Sequence, residues 1–478
     1  MIGVGALIVV GFIRAAGLFE PGSPSGIDGG NWLAFGSFDR PGLAYPPVVP
    51  ALFAALVWIF GAVTATAIAG TVALIAPSLS VLSLLAWAGH ARTGALAGLA
   101  VISSGAIGEV AAWGGYPQLL ATAFMIIALT AAAHWHHGAG RASLLIFAGG
   151  FSSAVATSHL VALVGLAAVV LIIASATVLE RASLRRAVAV GAIAVTPFLL
   201  LFSTYAALVT LSGEPVVGQA DDTQRVLGAV WPVYFAIVVS VPIALALTHL
   251  RPALAGELRP RDQALLRAVT GAGVTWLLAY LVTREPRLLY DLNVLAILGA
   301  AAAVPVVLSI VRSTGGRRLI AAVAFGAIVA TSATGMAAFP NHVAYYRVLS
   351  PDRFESIEWL AKNVPRKPHS IVVADVAGVA IGWWVEGLIG EETLYASDLR
   401  WLRFPSERDR ARKANLFLYR SGFPTGSSAS TARQDGIAYV FLPSAGAFGV
   451  DPVQPPAGWL VVFSSGDAVV MAPSPTPN

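Results

Sequence analysis

Apolar runs long enough to cross a bilayer recur from the first residue to about Ala338 and then stop, and no other feature constrains the fold of this chain as strongly. A hydrocarbon core of roughly 30 Å takes about 20 helical residues per crossing. The runs lie near 1–18, 64–88, 95–112, 117–134, 143–158, 160–178, 187–211, 226–248, 265–282, 288–311 and 318–338, which predicts eleven spans. With 57% hydrophobic and only 12% charged residues, the composition excludes an ordinary soluble enzyme. The expected fold class is an α-helical polytopic membrane protein with a small C-terminal α/β domain.

The net charge of +5 could suggest nucleic acid, but the basic residues sit in short loops between apolar runs rather than on one face. They read as topological signals, so no nucleic-acid partner is expected. The chain has no cysteine, which removes disulfides, thiolate nucleophiles and Cys-based metal sites. Arginine supplies nearly all the cations, and lysine occurs only at 362, 367 and 413. With the Ala, Gly and Val content this is the composition of a high-GC bacterium, so the expected location is a bacterial cytoplasmic membrane. The N-terminal run lacks a basic n-region and a small-residue cleavage site and reads as a first span.

Arg92, Arg141, the Arg181/Arg185/Arg186 group, the Arg251/Arg259/Arg261/Arg267 group and the Arg312/Arg317/Arg318 group all fall on one side of the eleven-span chain, which the positive-inside rule makes cytoplasmic. The other side collects the 28–45 segment, Glu109 with WGGYPQ, His159, the loop with Glu214, Asp221, Asp222 and Arg225, and the REPR of 284–287. Residues 45–61 are apolar enough to span, yet a crossing there would invert every later loop. Pro46, Pro47 and Pro50 favour a broken entry, so this segment reads as a juxtamembrane or re-entrant helix, with a twelfth span as the alternative. The expected division is a membrane domain over 1–340, including an external loop at 19–63, and an extracytoplasmic α/β domain over 341–478. In the latter, ESIEWLAKNV reads as an amphipathic helix, SIVVADVAGVAI and AYVFLP as strands, GWLVVFSSGDAVVMAP as a hairpin turning at Gly466-Asp467, and SGFPTGSSASTARQDG as a polar loop.

Two features carry chemistry: Asp28 in SGIDGGNW, followed by FDRPGLAYPP, and the motif GEVAAWGGYPQ. This arrangement resembles the GT-C superfamily of membrane glycosyltransferases, in particular its mannosyl- and aminoarabinosyl-transferase-like members. Their first large external loop carries an aspartate followed by a juxtamembrane helix, here the segment opening Tyr45-Pro46-Pro47. The resemblance covers the whole chain in architecture. It implies an inverting enzyme that takes a sugar from a polyprenyl-phosphate carrier in the bilayer and passes it to a glycan, lipid or protein acceptor. It also implies that Asp28 acts as general base or helps bind a divalent cation, a role for which a carboxylate is suited. Read without the family, Asp28 before Gly29 and Gly30 is also a turn or helix cap. The family often places a second acid where this chain has Tyr45, a departure that leaves open a non-catalytic component or translocator of envelope glycan assembly.

The remaining candidates follow from residue chemistry. Asp39 and Arg40 offer a second carboxylate and a phosphate ligand, or simply a local ion pair. Glu109 ends an apolar span, where an ionised side chain needs a cavity or a partner, and it reads as acceptor contact or second acid. Trp113, Tyr116 and Gln118 could stack against and hydrogen-bond a sugar, or the Trp and Tyr could simply anchor in an interfacial belt. His159, in the TSHL turn, could hydrogen-bond a phosphate. Arg284 and Arg287 present guanidinium forks that match phosphate oxygens where a lipid carrier's phosphate would lie, or Arg284, Glu285 and Asp291 form a structural ion pair. Asp291 then needs a partner within its span, for instance an arginine. His134, His136 and His137 look metal-like but fall on the cytoplasmic side, and Asp221 and Asp222 read as a helix cap. No P-loop or HExxH occurs, which argues against an ATP-driven pump or zinc protease.

Overall fold

Among the described residues, helices stand where the apolar runs lie. The computed structural model describes residues 2–19, 24, 26–37, 45–180, 183–211, 258–311, 313–364, 367–374, 380–397, 399, 402 and 404–475. The expected span at 226–248, together with Asp39, Arg40, Glu214, Asp221, Asp222 and Arg225, lies outside them. The chain runs through α1 (Ile2–Leu18), α2 (Gly29–Ser37), α3 (Val48–Phe60), α4 (Ala62–Trp87), α5 (Ala91–Ser103), α6 (Gly105–Trp113), α7 (Tyr116–His136), α8 (Arg141–Val155), α9 (His159–Glu180), α10 (Leu184–Leu200) and α11 (Phe202–Leu211). It resumes with α12 (Pro260–Thr283), α13 (Arg287–Ile310) and α14 (Thr314–Tyr346).

Among the described residues, α4, α7, α9, α12, α13 and α14 are long and apolar enough to cross a membrane, six helices in all, or seven if α5 and α6 count as one bent span. The runs at 1–18 and 143–158 form the shorter helices α1 and α8, and the run at 187–211 divides at Leu201 into α10 and α11. The proline-opened segment forms α3, whose 13 residues reach about 20 Å, too short for a full crossing. It ends on Trp58, Ile59 and Phe60, all largely exposed.

The 47° bend between α5 and α6 frees carbonyls in an apolar interior, where each needs a donor. Arg14 of α1, 1% exposed, supplies them. Its guanidinium donates to Ile102 O, to Ser104 O at 3.0 Å and to Gly335 O at 3.4 Å, and packs 4.2 Å from the centre of the Phe339 ring. Gly335 is required here, since a Cβ would overlap the backbone of Ser103–Gly105. The Ser104 hydroxyl then caps α6 by accepting the Ile107 N–H at 3.3 Å.

Beyond residue 340, α14 continues to Tyr346 before the chain enters α15 (Pro351–Asn363), the amphipathic helix expected there. A five-stranded sheet follows, with β1 (Ile371–Val373), β2 (Leu394–Tyr395), β3 (Tyr439–Leu442), β4 (Trp459–Ser465) and β5 (Ala468–Pro473) in the order β2-β1-β3-β5-β4. β1 runs parallel to β2 and β3, whereas β5 is antiparallel to β3 and β4. The hairpin turns at Gly466-Asp467 as its sequence predicts. Two local readings are corrected. Residues 380–389 are helical (α16, Ala380–Ile389), not the end of a strand. The polar stretch after α17 (Pro405–Arg420) contains α18 (Gly426–Gln434), because Thr425 and Ser428 form a reciprocal capping box.

Candidate active site

Asp28 lies in the turn that starts α2, and that turn is laced to the α6–α7 connection. The Asp28 N–H donates to Trp113 O at 2.9 Å, the Trp32 N–H to Asp28 O at 3.1 Å, and the Trp32 indole to Gly114 O at 2.7 Å. Gly114 is left-handed (φ 91°), and a Cβ there would come within 2.9 Å of the Gly29 nitrogen and 3.3 Å of the Asp28 Cβ. The first glycine of WGGYPQ, Gly114, is therefore what lets the Asp28 turn approach.

Tyr45 packs against this turn, its ring centre 5.0 Å from Trp32, 5.7 Å from Phe35 and 6.0 Å from His159. The α3 entry is tied to the α8–α9 turn by the Val48 N–H donating to Ala156 O at 2.9 Å. The short TSHL turn thus brings His159 to the same place as the first-loop residues.

Arg287 opens α13 at this same end. Its guanidinium lies 5.4 Å from the Trp113 ring centre, its Nε is 3.6 Å from Glu285 Oε1, and its side chain stays 46% exposed. The Asp28 turn and Arg287 meet the same residue, the turn at the Trp113 carbonyl and the guanidinium at the Trp113 ring. Four separated stretches of chain thus converge on one partly open cluster holding Asp28, Tyr45, His159 and Arg287. A guanidinium fork there can bind phosphate oxygens, and a carboxylate beside it can accept a proton.

The other candidates occupy different surroundings. Arg284 closes α12 in the left-handed region (φ 57°), with its side chain exposed. Tyr116 is 1% exposed, with its ring stacked on Phe53 and its hydroxyl against Gly70, so it is enclosed by packing. Gln118 lies beneath the cluster and donates to Arg287 O at 2.7 Å and to Asp291 Oδ1 at 3.0 Å. Glu109 is fully buried and accepts the Tyr346 hydroxyl of α14 at 3.0 Å. Asp291 takes its hydrogen bonds from Gln118, from the Thr122 hydroxyl at 2.7 Å and from the Trp276 indole at 3.1 Å rather than from an arginine. Thr122 one helical turn after Gln118 was the available signal for this network. Of the aromatics in that motif, Trp113 is the one that lies against Arg287. His134 lies at the opposite end of the bundle beside Trp87 and Ser143. Among the described residues no three His, Asp or Glu side chains converge on a metal geometry.

Polytopic helices, a short helix after the first loop and a terminal sheet unit together define a helical membrane fold, and solved structures share it. ArnT from Cupriavidus metallidurans in the apo state matches with a TM-score of 0.60 at 13% identity, covering 98% of this chain and 97% of that chain. The same protein bound to undecaprenyl phosphate matches with a TM-score of 0.60 at 15% identity, with the same coverage. No family model and no curated protein sequence matches this chain. At such identities the likeness shows a shared fold, and activity has to be argued from the site.

Proposed function

We propose that this protein transfers a sugar from a polyprenyl-phosphate carrier to an acceptor at the outer face of the cytoplasmic membrane. The observation that carries this reading is that the Asp28 turn and Arg287, from the first loop and the α12–α13 connection, both pack on Trp113 at one end of a bundle with the ArnT fold. A relative of that fold binds undecaprenyl phosphate, which is the carrier chemistry an exposed arginine fork would receive.

In this reading Arg287 holds the donor phosphate, with Arg284 at the mouth of the site. The acceptor hydroxyl attacks the anomeric carbon from the face opposite the phosphate. As the new C–O bond forms, the bond to the phosphate oxygen breaks, the lipid phosphate departs, and Asp28 takes the hydroxyl proton, so the anomeric centre inverts. Tyr45 and His159 line the acceptor side. Glu109, enclosed against Tyr346, is left out of the transfer step, and no step is routed through a divalent cation. The C-terminal unit lies on the outer side with the site.

The test is transfer from a polyprenyl-phosphate sugar by purified protein, wild type against Asp28→Asn. The amide keeps the shape of the side chain and loses its basicity, so transfer should fall by roughly a hundredfold or more. Thermal stability should barely change, because the backbone hydrogen bonds that hold the turn remain. A variant as active as wild type would remove Asp28 from the chemistry. A wild type inert with every donor would favour a scaffold or lipid-glycan translocator on this fold.

A further inference from the structure

The Asp28 turn is gripped from two sides, and one grip comes from the far end of the sequence. On one side it hydrogen-bonds the α6–α7 connection through Trp113 O. On the other, Trp384 of α16 is fully buried and its indole N–H donates to Gly26 O at 2.9 Å, two residues before Asp28. The backbones themselves touch at this contact. A Cβ on Gly30 would run into the Trp383–Trp384 backbone, and one on Gly387 would stand 2.6 Å from Leu33 Cβ and 2.7 Å from Gly30 O. Such contact is open only to glycine, and it leaves α2 and α16 no slack.

The helix α16 is itself fixed within the sheet unit. Glu386, fully buried on α16, pairs with the buried Arg410 of α17 and accepts the Thr393 N–H at 2.9 Å just before β2. A buried pair of this kind is costly to break, so α16 moves only with the whole C-terminal unit.

We propose that Trp384 is a positioning residue for Asp28, so that the C-terminal unit sets the geometry of the transfer site without touching substrate. The inference rests on the reading of Asp28 as the proton acceptor. Misplacing a catalytic group by about 1 Å can cost on the order of a hundredfold in rate while leaving binding elsewhere intact. Losing the Trp384 hydrogen bond should therefore lower kcat, with little change in the KM for the donor, whose phosphate is held by Arg287.

The experiment compares Trp384→Phe with Trp459→Phe in the full-length protein. Trp459 makes the same kind of bond, its indole donating to Thr425 O at 3.0 Å, but inside the C-terminal unit and away from Asp28. Expected for Trp384→Phe is a fall in kcat of about tenfold or more, an unchanged donor KM, and faster amide hydrogen exchange over residues 26–32. Expected for Trp459→Phe is none of these. Wild-type kcat and exchange in Trp384→Phe would overturn the proposal, as would equal losses in both variants. If the wild type transfers no sugar at all, the functional reading fails, while the exchange comparison still decides whether Trp384 holds the Asp28 turn.

Discussion

At one end of the bundle, Arg261 donates to Trp87 O at 2.9 Å with its guanidinium 5.3 Å from the Trp87 ring centre. Arg186 repeats the arrangement at Trp135, donating to its carbonyl at 3.0 Å over a ring 5.3 Å away. Close by, Asp262 is held between Arg259 and His90, each at 2.9 Å. At the other end Arg287 also stands over a tryptophan, Trp113, with Glu285 Oε1 3.6 Å from its Nε and nearly half of its side chain exposed. The same pair of residue types thus ties helix ends together in one place and presents a cation in the other. What separates the two uses is the partner: the Trp87 and Trp135 carbonyls take hydrogen bonds from the guanidinium at the first end, and the carboxylate of Glu285 stands 3.6 Å from it at the second.

The sharpest way to break this comparison is to ask which aqueous phase each end meets. Reporter fusions after Arg186 and after Arg318 should be active only as cytoplasmic reporters, and a fusion at Asn478 only as an extracytoplasmic one. A cytoplasmic reading at Asn478 would move the Asp28 and Arg287 cluster to the wrong leaflet for the proposed reaction, because Trp384 ties the C-terminal unit to the Asp28 turn.

Next in size is the response of the open arginine. Arg287→Ala should raise the KM for a polyprenyl-phosphate sugar by about tenfold or more, since hydrogen bonds to a charged group are worth about 1.5–3 kcal/mol. Arg287→Lys should recover only part of this, because an ammonium cannot reproduce two-pronged contact with phosphate oxygens. Complete rescue by lysine would reduce the site to simple charge placement, and an unchanged KM in both variants would remove the donor assignment.

Much of this architecture is legible from hydropathy, because span-length apolar runs have few alternatives in a bilayer. The juxtamembrane helix is legible from Pro46, Pro47 and Pro50, and the hairpin from Gly466-Asp467. Within the cluster, the types of Asp28, His159 and Arg287 announce their chemistry, but their meeting does not follow from spacing. It depends on Gly114 admitting the Asp28 turn and on a carbonyl of residue 156 receiving the α3 entry, contacts that span long sequence separations. The roles of Arg14 and Trp384 were hidden for a similar reason. Each resembles an ordinary residue of its segment, a loop-flanking cation and a helix aromatic, until the fold brings backbone carbonyls up to it. Glu109 and Tyr116 stand in the right motif and face inward, a choice that helical phase and the neighbours Tyr346 and Phe53 determine.

The smallest expected effect tests the closed end. In Arg261→Gln, one hydrogen bond to the Trp87 carbonyl and the contact with its ring are lost, while the α4 and α12 helices keep their apolar packing. The guanidinium is exposed, so each lost interaction is worth only about 0.5–1 kcal/mol. The protein should melt slightly lower in a detergent-based thermal shift, and sugar transfer should stay within about twofold of wild type, since well-separated sites act independently. The substitution removes the same charge from the same kind of arginine–tryptophan pair as the change at Arg287. A loss of transfer in Arg261→Gln comparable to that in Arg287→Ala would mean that the two ends are coupled through the bundle, and the partner that the guanidinium meets would no longer distinguish a ligand from a helix tie.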